Sequence, residues 1–445
     1  MKRETTMSTT IESTEAPARV PRFQLGGVPL IVPVIMAGIV ITAGALDAVP
    51  ANMIGGLAII TAFGMLLGPL GNRLPVISKI GGGALVCLMV PSLLVYFGVF
   101  NANMLEATTA LMKEANFLYF VICTLVVGSI LGMHRTMMLR ALVRIFPPLV
   151  AGTAAAVAAG IGVAMLFGYS FERALFYIVV PIIGGGIGEG VIPLSAAYAN
   201  ALGGTPKDFI AQLIPAAVIG NIVAIILAGM LRRLGERKAH LDGGGMLVKP
   251  KKGSNDTEIF EAANHDTVQA NPNYAMGILL ICGMFVLASL AEPFLHLPAP
   301  VLVIVFSVIL KVAGIVPASV EGSARAVYAI ISKHLIYPTM IGLGMLYVPM
   351  ADVISVLSIG YVVTCAAVVI TMALVGFYVG KALGMYPVDA SLVTVCHSGL
   401  GGTGDVAILS ASNRMNLMPF AQISTRIGGV TTVISAASLI HLTAG

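Results

Sequence analysis

The feature that most constrains this sequence is a succession of apolar runs long enough to cross a lipid bilayer. A spanning helix needs about 20 apolar residues. Only 10% of the 445 residues are charged, whereas soluble domains carry about 25%. The sequence therefore predicts an all-α polytopic membrane protein with about eleven transmembrane helices. The candidate spans lie at residues 29–49, 53–70, 82–100, 117–133, 147–169, 209–230, 275–294, 299–317, 334–350, 353–380 and 420–442.

Two further apolar runs, 175–200 and 387–412, are interrupted by matching glycine clusters. Residues 185–189 and 401–405 both read Gly-Gly-x-Gly followed by an acid, and an apolar run that reaches a serine follows each cluster. Because glycine favours turns and close backbone approach over regular helix, the centres of these runs are predicted to be breaks. We expect each run to be a re-entrant hairpin that enters and leaves on one face of the membrane.

Basic residues indicate the orientation, since short cytoplasmic loops collect Lys and Arg. A polar N-terminal tail, residues 1–24, is predicted to be disordered and cytoplasmic, and a basic loop, residues 231–274, is also predicted to be cytoplasmic. With two same-face hairpins, the other clusters of basic residues also fall inside and the C-terminus falls outside. The hairpins then open to opposite faces, so the membrane halves 25–230 and 275–445 are predicted to form an inverted-topology repeat of the kind common in secondary transporters.

The breaks have a chemistry of their own. Backbone N–H groups freed at a helix start bind anions, and the carbonyl oxygens of unwound backbone, such as Gly401, can coordinate Na⁺. Ionisable residues inside a membrane are costly and mark functional sites. Arg426 is predicted to bind a substrate carboxylate, with a structural ion pair to Asp405 or Glu189 as the alternative. Asp405 is a candidate for Na⁺ or proton coupling or for a helix cap, and Glu189 is a candidate proton carrier.

Other motifs are less informative. The GxGxxG pattern at residues 399–404 lacks the strand that a dinucleotide site requires, and no HExxH, GxSxG or GxxxxGK[ST] motif is present. The sequence therefore predicts neither an enzyme nor an ATP-driven pump, and no nucleic-acid partner. The five cysteines have no CxxC spacing. Gln212 and Asn221 are expected to link helices, and His397, near the second break, more often has a satisfied structural role than a binding one.

Two stretches resemble the signature regions of a known family. They read PIIGGGIGEGVIPLSAAY and GLGGTGDVAILSASNRMNLMPFAQISTRIGG, and both are similar to regions of the bacterial 2-hydroxycarboxylate transporter family. The resemblance covers nearly the whole chain. It implies a multi-pass protein of the bacterial cytoplasmic membrane that moves citrate, malate or related anions with Na⁺, H⁺ or a counter-substrate. It also implies eleven spans, a homodimer and elevator-type movement.

The resemblance extends to site residues. Arg426 matches a carboxylate-binding arginine and Thr425 a neighbouring hydroxyl residue. Thr403 matches a serine near substrate and Na⁺, so a Na⁺ ion is expected near Thr403 and Asp405. Tip glycines match Gly188 and Gly402, and an aromatic residue that faces the substrate matches Tyr347.

Two departures affect the predicted substrate. Na⁺-citrate members of this family carry Asn-Arg where this chain has Gly399 and Leu400, and an Asn where it has Ile187, so Ile187 would line the site in its place. With one arginine fewer, malate is favoured and citrate stays open. The carboxylate of Glu189 adds H⁺ to Na⁺ as a coupling ion. The alternatives are a carboxylate exchanger, the membrane subunit of a Na⁺-pumping decarboxylase, and an ion channel.

Overall fold

The structure is a computed structural model that describes residues 24–25, 28–29, 31–79, 81–133, 135–249, 272–295 and 299–444. Most of the predicted N-terminal tail and part of the basic loop lie outside these residues. Within them the chain is helical, apart from a short antiparallel pairing of two-residue strands, β1 (Gln24–Leu25) and β2 (Val28–Pro29). The prediction of an all-α protein is confirmed.

The first part of the chain forms helices α1 (Ile31–Ala45), α2 (Met53–Arg73), α3 (Gly82–Tyr96), α4 (Ala102–Thr109), α5 (Phe117–Gly132), α6 (Arg135–Arg144), α7 (Phe146–Leu166), α8 (Val180–Ile183), α9 (Ile192–Leu202) and α10 (Pro206–Arg237). The second part forms α11 (Tyr274–Leu295), α12 (Ala299–Ala313), α13 (Ala318–Ile330), α14 (Ile336–Tyr347), α15 (Met350–Ser355), α16 (Ile359–Ala382), α17 (Pro387–Cys396), α18 (Gly402–Ser412) and α19 (Met418–Ala444). Four π-helical segments extend or join helices, at Ala110–Glu114, Arg173–Val179, Ile187–Val191 and Ile331–Leu335.

Helices coincide with the predicted spans, although not all are long enough to cross a bilayer. In the described residues seven helices are long and apolar enough to cross a membrane, or eight when the bent pair Ala102–Glu114 and Phe117–Gly132 counts as one span. Four predicted spans correspond to α1, α3, α5 and α12, which have 15 or 16 residues. At 1.5 Å per residue, such helices fall short of the roughly 30 Å hydrocarbon core. The structure therefore supports a multi-pass membrane protein with seven or eight clear spans.

One span begins far from its predicted boundary. Ala318–Tyr347 is a continuous span of 30 residues, whereas the sequence placed a span at 334–350 after a basic loop. Arg325 and Lys333 lie inside this helix. Counting apolar runs began the span too late because these two cations interrupt the apolar run without interrupting the helix.

Local sequence explains where two of the long helices begin. The Asn52 side chain accepts hydrogen bonds from the backbone N–H groups of Ile54 and Gly55 and so caps α2. Thr205 and Asp208 form a capping box at the start of α10, where Pro206 occupies the first turn. Both arrangements provide partners for N–H groups that a helix start leaves unpaired.

The packing leaves large apolar faces uncovered. Buried residues from nearly every helix form one continuous apolar core, whereas α11 exposes Leu279, Val286, Leu290 and Phe294. In water such a face would be unfavourable at roughly 25 cal/mol per Å², but in a bilayer it contacts lipid chains at no such cost. The core faces of α7, α16 and α17 pack together, and α10 packs against α16, α17 and α18.

The segment after α10 is ordered, although the sequence predicted only a basic loop between two halves. Residues 238–249, which we call the strap, cross the ends of several helices. The strap pairs with the turn before α17 through a bridge between Val248 and Met385. The Asp389 carboxylate, 0% exposed, accepts backbone hydrogen bonds from Gly243 (2.6 Å) and Gly245 (2.8 Å). The strap therefore ties the end of α10 to the second interrupted segment.

Arg414, just after α18, balances the acids of this strap. Its Nη2 lies 2.5 Å from Asp242 Oδ2, and its Nε lies 3.6 Å from Asp389 Oδ1. The side chains of Arg414 and Asp242 are 11% and 13% exposed. One cation therefore offsets part of the charge of two acids in a poorly solvated place, where an unpaired charge would be costly.

The first prediction concerns this ion cluster. Arg414→Ala should lower the free energy of unfolding by about 3 kcal/mol, because it leaves buried Asp389 without its counter-charge. Arg232→Ala is the matched control. It removes an exposed i,i+4 pair with Glu236 and should cost at most about 0.5 kcal/mol. Thermal unfolding in detergent, with proteolysis of the strap as a second readout, measures both, and equal shifts for the two variants would contradict the role given to Arg414.

Candidate functional site

The two interrupted segments have the same order of elements, a helix, a glycine-rich break and a second helix. The first runs from α8 through Gly184–Gly186 into the π-helical segment Ile187–Val191 and then α9, and the second runs from α17 through residues 397–401 into α18. Gly185, Gly186 and Gly401 have φ angles of +88°, +89° and +72°. Such angles are strained for residues with a side chain, which explains why both breaks are rich in glycine.

The two breaks touch each other. A Cβ atom on Gly401 would lie 2.6 Å from the carbonyl oxygen of Gly185, and a Cβ atom on Gly186 would overlap the backbone of Leu400 and Gly401. The backbones therefore meet without intervening side chains. Repeated glycines in two distant parts of the sequence are accordingly explained by one contact.

Helix α19 passes the meeting point. A Cβ atom on Gly429 would lie 2.8 Å from the Cα of Gly185, and one on Gly185 would lie 3.2 Å from the carbonyl oxygen of Thr425. Helix α19 can therefore approach the first break this closely only because residue 429 is a glycine. Both breaks and the middle of α19 form one polar centre within the apolar protein.

Asp405 lies in the first turn of α18 and is 0% exposed. Its Oδ2 accepts a hydrogen bond from Gln422 Nε2 (2.7 Å), and its Oδ1 lies 2.8 Å from the Thr425 hydroxyl. That hydroxyl also lies 3.1 Å from the carbonyl oxygen of Cys396, at the end of α17. The carboxylate therefore joins α18 to α19, and Thr425 adds a link to α17.

Arg426 extends this network by one residue. Its Nε donates to Gln422 Oε1 at 2.9 Å, and the arginine is 4% exposed. Gln422 is thus an amide bridge between a buried cation and a buried anion. We call Asp405, Gln422, Thr425 and Arg426 the polar network. In a low dielectric such hydrogen bonds are strong and fix side-chain geometry.

The polar network suits the binding of an anion together with a cation. Arginine presents a planar fork that matches a carboxylate. The N-terminus of α18 adds backbone N–H groups and the positive end of a helix dipole. Asp405, the hydroxyls of Thr403 and Thr425 and the break carbonyls supply the oxygen atoms that hard cations prefer.

Most of the predicted site residues come together here. Gly401, Gly402, Thr403 and Asp405 lie at the second break. The hydroxyl of Thr403 donates to the carbonyl of Leu400 at 2.6 Å. A Cβ atom on Gly402 would lie 3.1 Å from Gln422 Nε2. The predicted residues Thr425 and Arg426 join them through α19.

For the remaining predicted residues, the structure describes no hydrogen bond or ion pair with the polar network. Ile187 is half-buried against the apolar core at the first break. Gly188 and Glu189 lie in the π-helical segment, but their surroundings, including the Glu189 side chain, lie outside what the structure describes. Tyr347 ends α14, where the ammonium of Lys113 lies 5.4 Å from its ring centre. Their roles remain predictions.

Sequence reasoning missed Gln422. An amide in an apolar helix usually links helices. The spacing of residues 422, 425 and 426, however, places three polar side chains within about one turn of α19, and this spacing could have indicated that Gln422 belongs to the site. Asn221 does link helices, as expected, because its Oδ1 accepts the backbone N–H of Leu400 at 3.2 Å. Gln212 bonds within its own helix, to the carbonyl of Asp208.

The described residues contain no group of three or more His, Cys, Asp or Glu side chains that could hold a metal ion. Any bound cation at the polar network would therefore rest on hydroxyl, carbonyl and single carboxylate oxygens. Such a ligand set is typical of weakly bound alkali cations in transporters.

Comparison with known proteins supplies an independent finding. The model of the 2-hydroxycarboxylate transporter family matches residues 25–438. The chain is 49% identical to a Na⁺-malate symporter of Bacillus subtilis (strain 168) over 422 residues, which cover 94% of this chain and 93% of that protein. It is 37% identical to a citrate/malate-proton symporter of the same organism over 394 residues, 88% of this chain and 87% of that one.

A third relative is more distant. The chain is 32% identical to a citrate/sodium symporter of Salmonella typhimurium (strain LT2) over 433 residues, which cover 95% of both chains. The three relatives differ in named substrate and in named coupling ion. Their common feature is cation-coupled movement of a small carboxylate.

The second prediction tests the contact between the breaks. Gly186→Ala should lower the free energy of unfolding by about 1–3 kcal/mol, because the methyl group overlaps Leu400 and the residue has a positive φ. Gly162→Ala, on an exposed part of α7 with nothing near its added methyl, should be neutral or should stabilise the helix by up to about 1 kcal/mol. Thermal unfolding in detergent measures both. A stable Gly186→Ala variant would show that the breaks do not meet as described.

Proposed function

The chain belongs to the 2-hydroxycarboxylate transporter family, and from that premise we propose that it moves malate across the membrane together with a cation, H⁺ or Na⁺. Members of this family are secondary transporters, so the protein is a transporter and not an enzyme. The observation that carries the proposal is the polar network, which places a buried arginine and a buried aspartate beside the contact of two broken helices.

Arg426 binds a carboxylate of the substrate in this proposal. Arg426 lies on α19 and is linked through Gln422 to Asp405 in the first turn of α18, so a bound anion would be held between the guanidinium and the N-terminus of α18. Thr403, Thr425 and the backbone of Gly402 and Gly188 provide further hydrogen bonds. Ile187 and Tyr347 are proposed to line the site, Tyr347 on the side of Lys113.

Malate is favoured over citrate because the site contains few cations. Leu400 stands at the second break where the Na⁺-citrate members of the family carry an arginine, and a third carboxylate would then lack a partner. The sequence identities point the same way, because this chain is 49% identical to the Na⁺-malate symporter and 32% identical to the citrate/sodium symporter. Citrate would be accepted more weakly.

The coupling cation is assigned to the second break. Asp405, with the hydroxyl of Thr403 and the carbonyl of Gly401, offers oxygen ligands to Na⁺, and this cation would also offset the substrate charge. Glu189 is the acid that could carry a proton at the first break. Because Na⁺ and H⁺ both occur among the relatives, the proposal includes both.

The proposed architecture follows from the matched breaks. Eleven spans, with the segments 175–200 and 387–412 as re-entrant hairpins, would relate the halves as an inverted repeat, with the N-terminus inside and the C-terminus outside a bacterial cytoplasmic membrane. The tip-to-tip contact supports this, because hairpins that enter from opposite faces would meet at the midplane. We further propose a homodimer in which the domain that holds both breaks moves as an elevator.

The three alternatives to symport are not equally supported. Family membership gives no support to a subunit of a Na⁺-pumping decarboxylase or to a channel. Exchange of one carboxylate for another remains the second candidate mode, since an exchanger could use the same arginine. Coupled net uptake separates symport from exchange.

The third prediction concerns Arg426. Arg426→Ala should abolish uptake of labelled malate into proteoliposomes, because no other side chain in the polar network supplies a cation for the carboxylate. Arg135 is an exposed arginine at the start of α6 and provides the control. Arg135→Ala should transport malate as the unaltered protein does. Retained uptake by Arg426→Ala, in protein that elutes as a single folded species in detergent, would refute the assignment.

The fourth prediction concerns the coupling ion. Asp405→Asn keeps the size of the side chain, removes the charge and replaces one of the two accepting oxygens with an NH2 donor. The Na⁺ concentration for half-maximal uptake should rise roughly tenfold, the equivalent of about 1.4 kcal/mol. Asp47→Asn is the control, since that exposed residue has a positive φ that asparagine tolerates. An unchanged Na⁺ dependence in Asp405→Asn would leave Asp405 a structural link between α18 and α19.

A further inference from the structure

The second break contains a buried group that the polar network does not use. His397 follows α17 directly and is 0% exposed. Its ring lies beside the backbone of Ser424, yet neither Nδ1 nor Nε2 makes a hydrogen bond of normal length and angle in the structure. An imidazole always has at least one N–H donor, and in its neutral form it has one acceptor. The backbone of Ser424 offers the ring a poorly aligned contact, and neither nitrogen has a well-formed partner.

Two buried hydroxyls share this condition, one next to His397 in the sequence and one on α19. Ser398 Oγ, next to the histidine in the break, and Ser424 Oγ on α19 are buried and also lack hydrogen-bond partners in the structure. We call His397, Ser398 and Ser424 the histidine cluster. An unsatisfied buried polar group costs about 1–3 kcal/mol, and native proteins retain few of them without a functional reason.

The backbone of α19 is shaped to admit the ring. A Cβ atom on Gly428 would lie 2.5 Å from Cε1 and 2.7 Å from Nδ1 of His397. A side chain at 428 would therefore displace the imidazole. Gly428 lies one turn after Ser424, so both residues line the same face of α19, and the histidine packs on that face.

This face is opposite to the one that holds Arg426. At 3.6 residues per turn, positions 424 and 428 point away from positions 422 and 426. Helix α19 thus separates the histidine cluster from Gln422 and Arg426. Symport needs a cation site that is distinct from the substrate site, and the two faces of α19 provide two sites joined by one helix.

Few charges face the histidine. On α18 the nearest ionisable group is Asp405, which is directed to Gln422 and Thr425, and on α17 it is the thiol of Cys396. Helices α7 and α16 also pack on α17, and their charged residues are confined to Lys381 at the end of α16. The Glu189 side chain, at the first break, lies outside the described residues.

The tight packing restricts what the cluster can bind. Because His397 is 0% exposed, no water-sized space adjoins the ring, and neither Na⁺ nor a substrate group fits beside it in this conformation. A proton requires no such space. Histidine is also the side chain whose ordinary charge change falls between pH 5 and 8.

We propose that His397 binds a proton that crosses the membrane with the carboxylate, an inference that rests on the proposed function. Protonation creates a second N–H donor and a positive charge in the stretch that connects α17 to Thr403 and Asp405. A charge in so apolar a place is costly unless an opposite charge is near. Proton and carboxylate therefore favour each other's binding, which is the linkage that symport requires.

The test measures protons and malate together. Proteoliposomes that contain a pH-sensitive dye receive labelled malate at pH 7.5, with equal saturating Na⁺ on both sides. The unaltered protein should acidify the lumen in proportion to malate uptake. In His397→Gln, which keeps polarity and similar size but does not titrate, this acidification should fall to the background of protein-free liposomes while malate counterflow persists. His240→Gln, exposed and beyond α10, should behave as the unaltered protein.

The outcomes are distinguishable. An unchanged ratio of protons to malate in His397→Gln would overturn the proposal. Malate uptake without acidification by the unaltered protein would also overturn it and would leave the proposed transport intact. No malate movement by the unaltered protein under any gradient would refute the proposed function itself.

A second variant covers the case in which His397→Gln does not fold. Ser424→Ala removes a buried hydroxyl from the face of α19 against which the ring packs and leaves the histidine in place. The pH midpoint of malate uptake should shift by about 0.5 unit or more, because the surroundings of the charged ring become less polar. An unshifted midpoint would count against a proton on His397.

Discussion

Backbone that is broken inside a membrane is the constraint on which the rest of this structure depends. Polar backbone groups released from a helix cannot be left in hydrocarbon, so a break must be enclosed by protein or by a wet cavity. Here the two breaks lie against each other and against α19, and glycines at 185, 186, 401 and 429 allow the backbones to approach. The surrounding helices present apolar faces to the lipid and enclose this polar centre.

The same constraint explains why the charged groups cluster. A buried carboxylate or guanidinium is tolerated when hydrogen bonds and opposite charges surround it, and the polar network provides both through Gln422. If the polar network binds substrate and cation as we propose, its few hydrogen bonds between α17, α18 and α19 would rearrange on binding. Binding and movement of the helices would then share the same residues, as alternating access requires.

Some features of the structure could be predicted from the sequence and others could not, for physical reasons. Apolar runs located the helices, and the repeated Gly-Gly-x-Gly-acid pattern located the two breaks, because both signals are local. The strap was missed because nothing local pairs Asp389 with the N–H groups of Gly243 and Gly245. Gln422 and the unsatisfied ring of His397 were missed because partners across helices, or their absence, depend on packing that a sequence does not display.

The most direct test of the account is accumulation of labelled malate by proteoliposomes under an imposed Na⁺ gradient alone and, separately, under a pH gradient alone. The account predicts uptake above the external concentration with at least one of these gradients, and its collapse when that gradient is dissipated. Malate that only equilibrates under both gradients, or that moves only against internal carboxylate, would contradict cation symport and favour exchange.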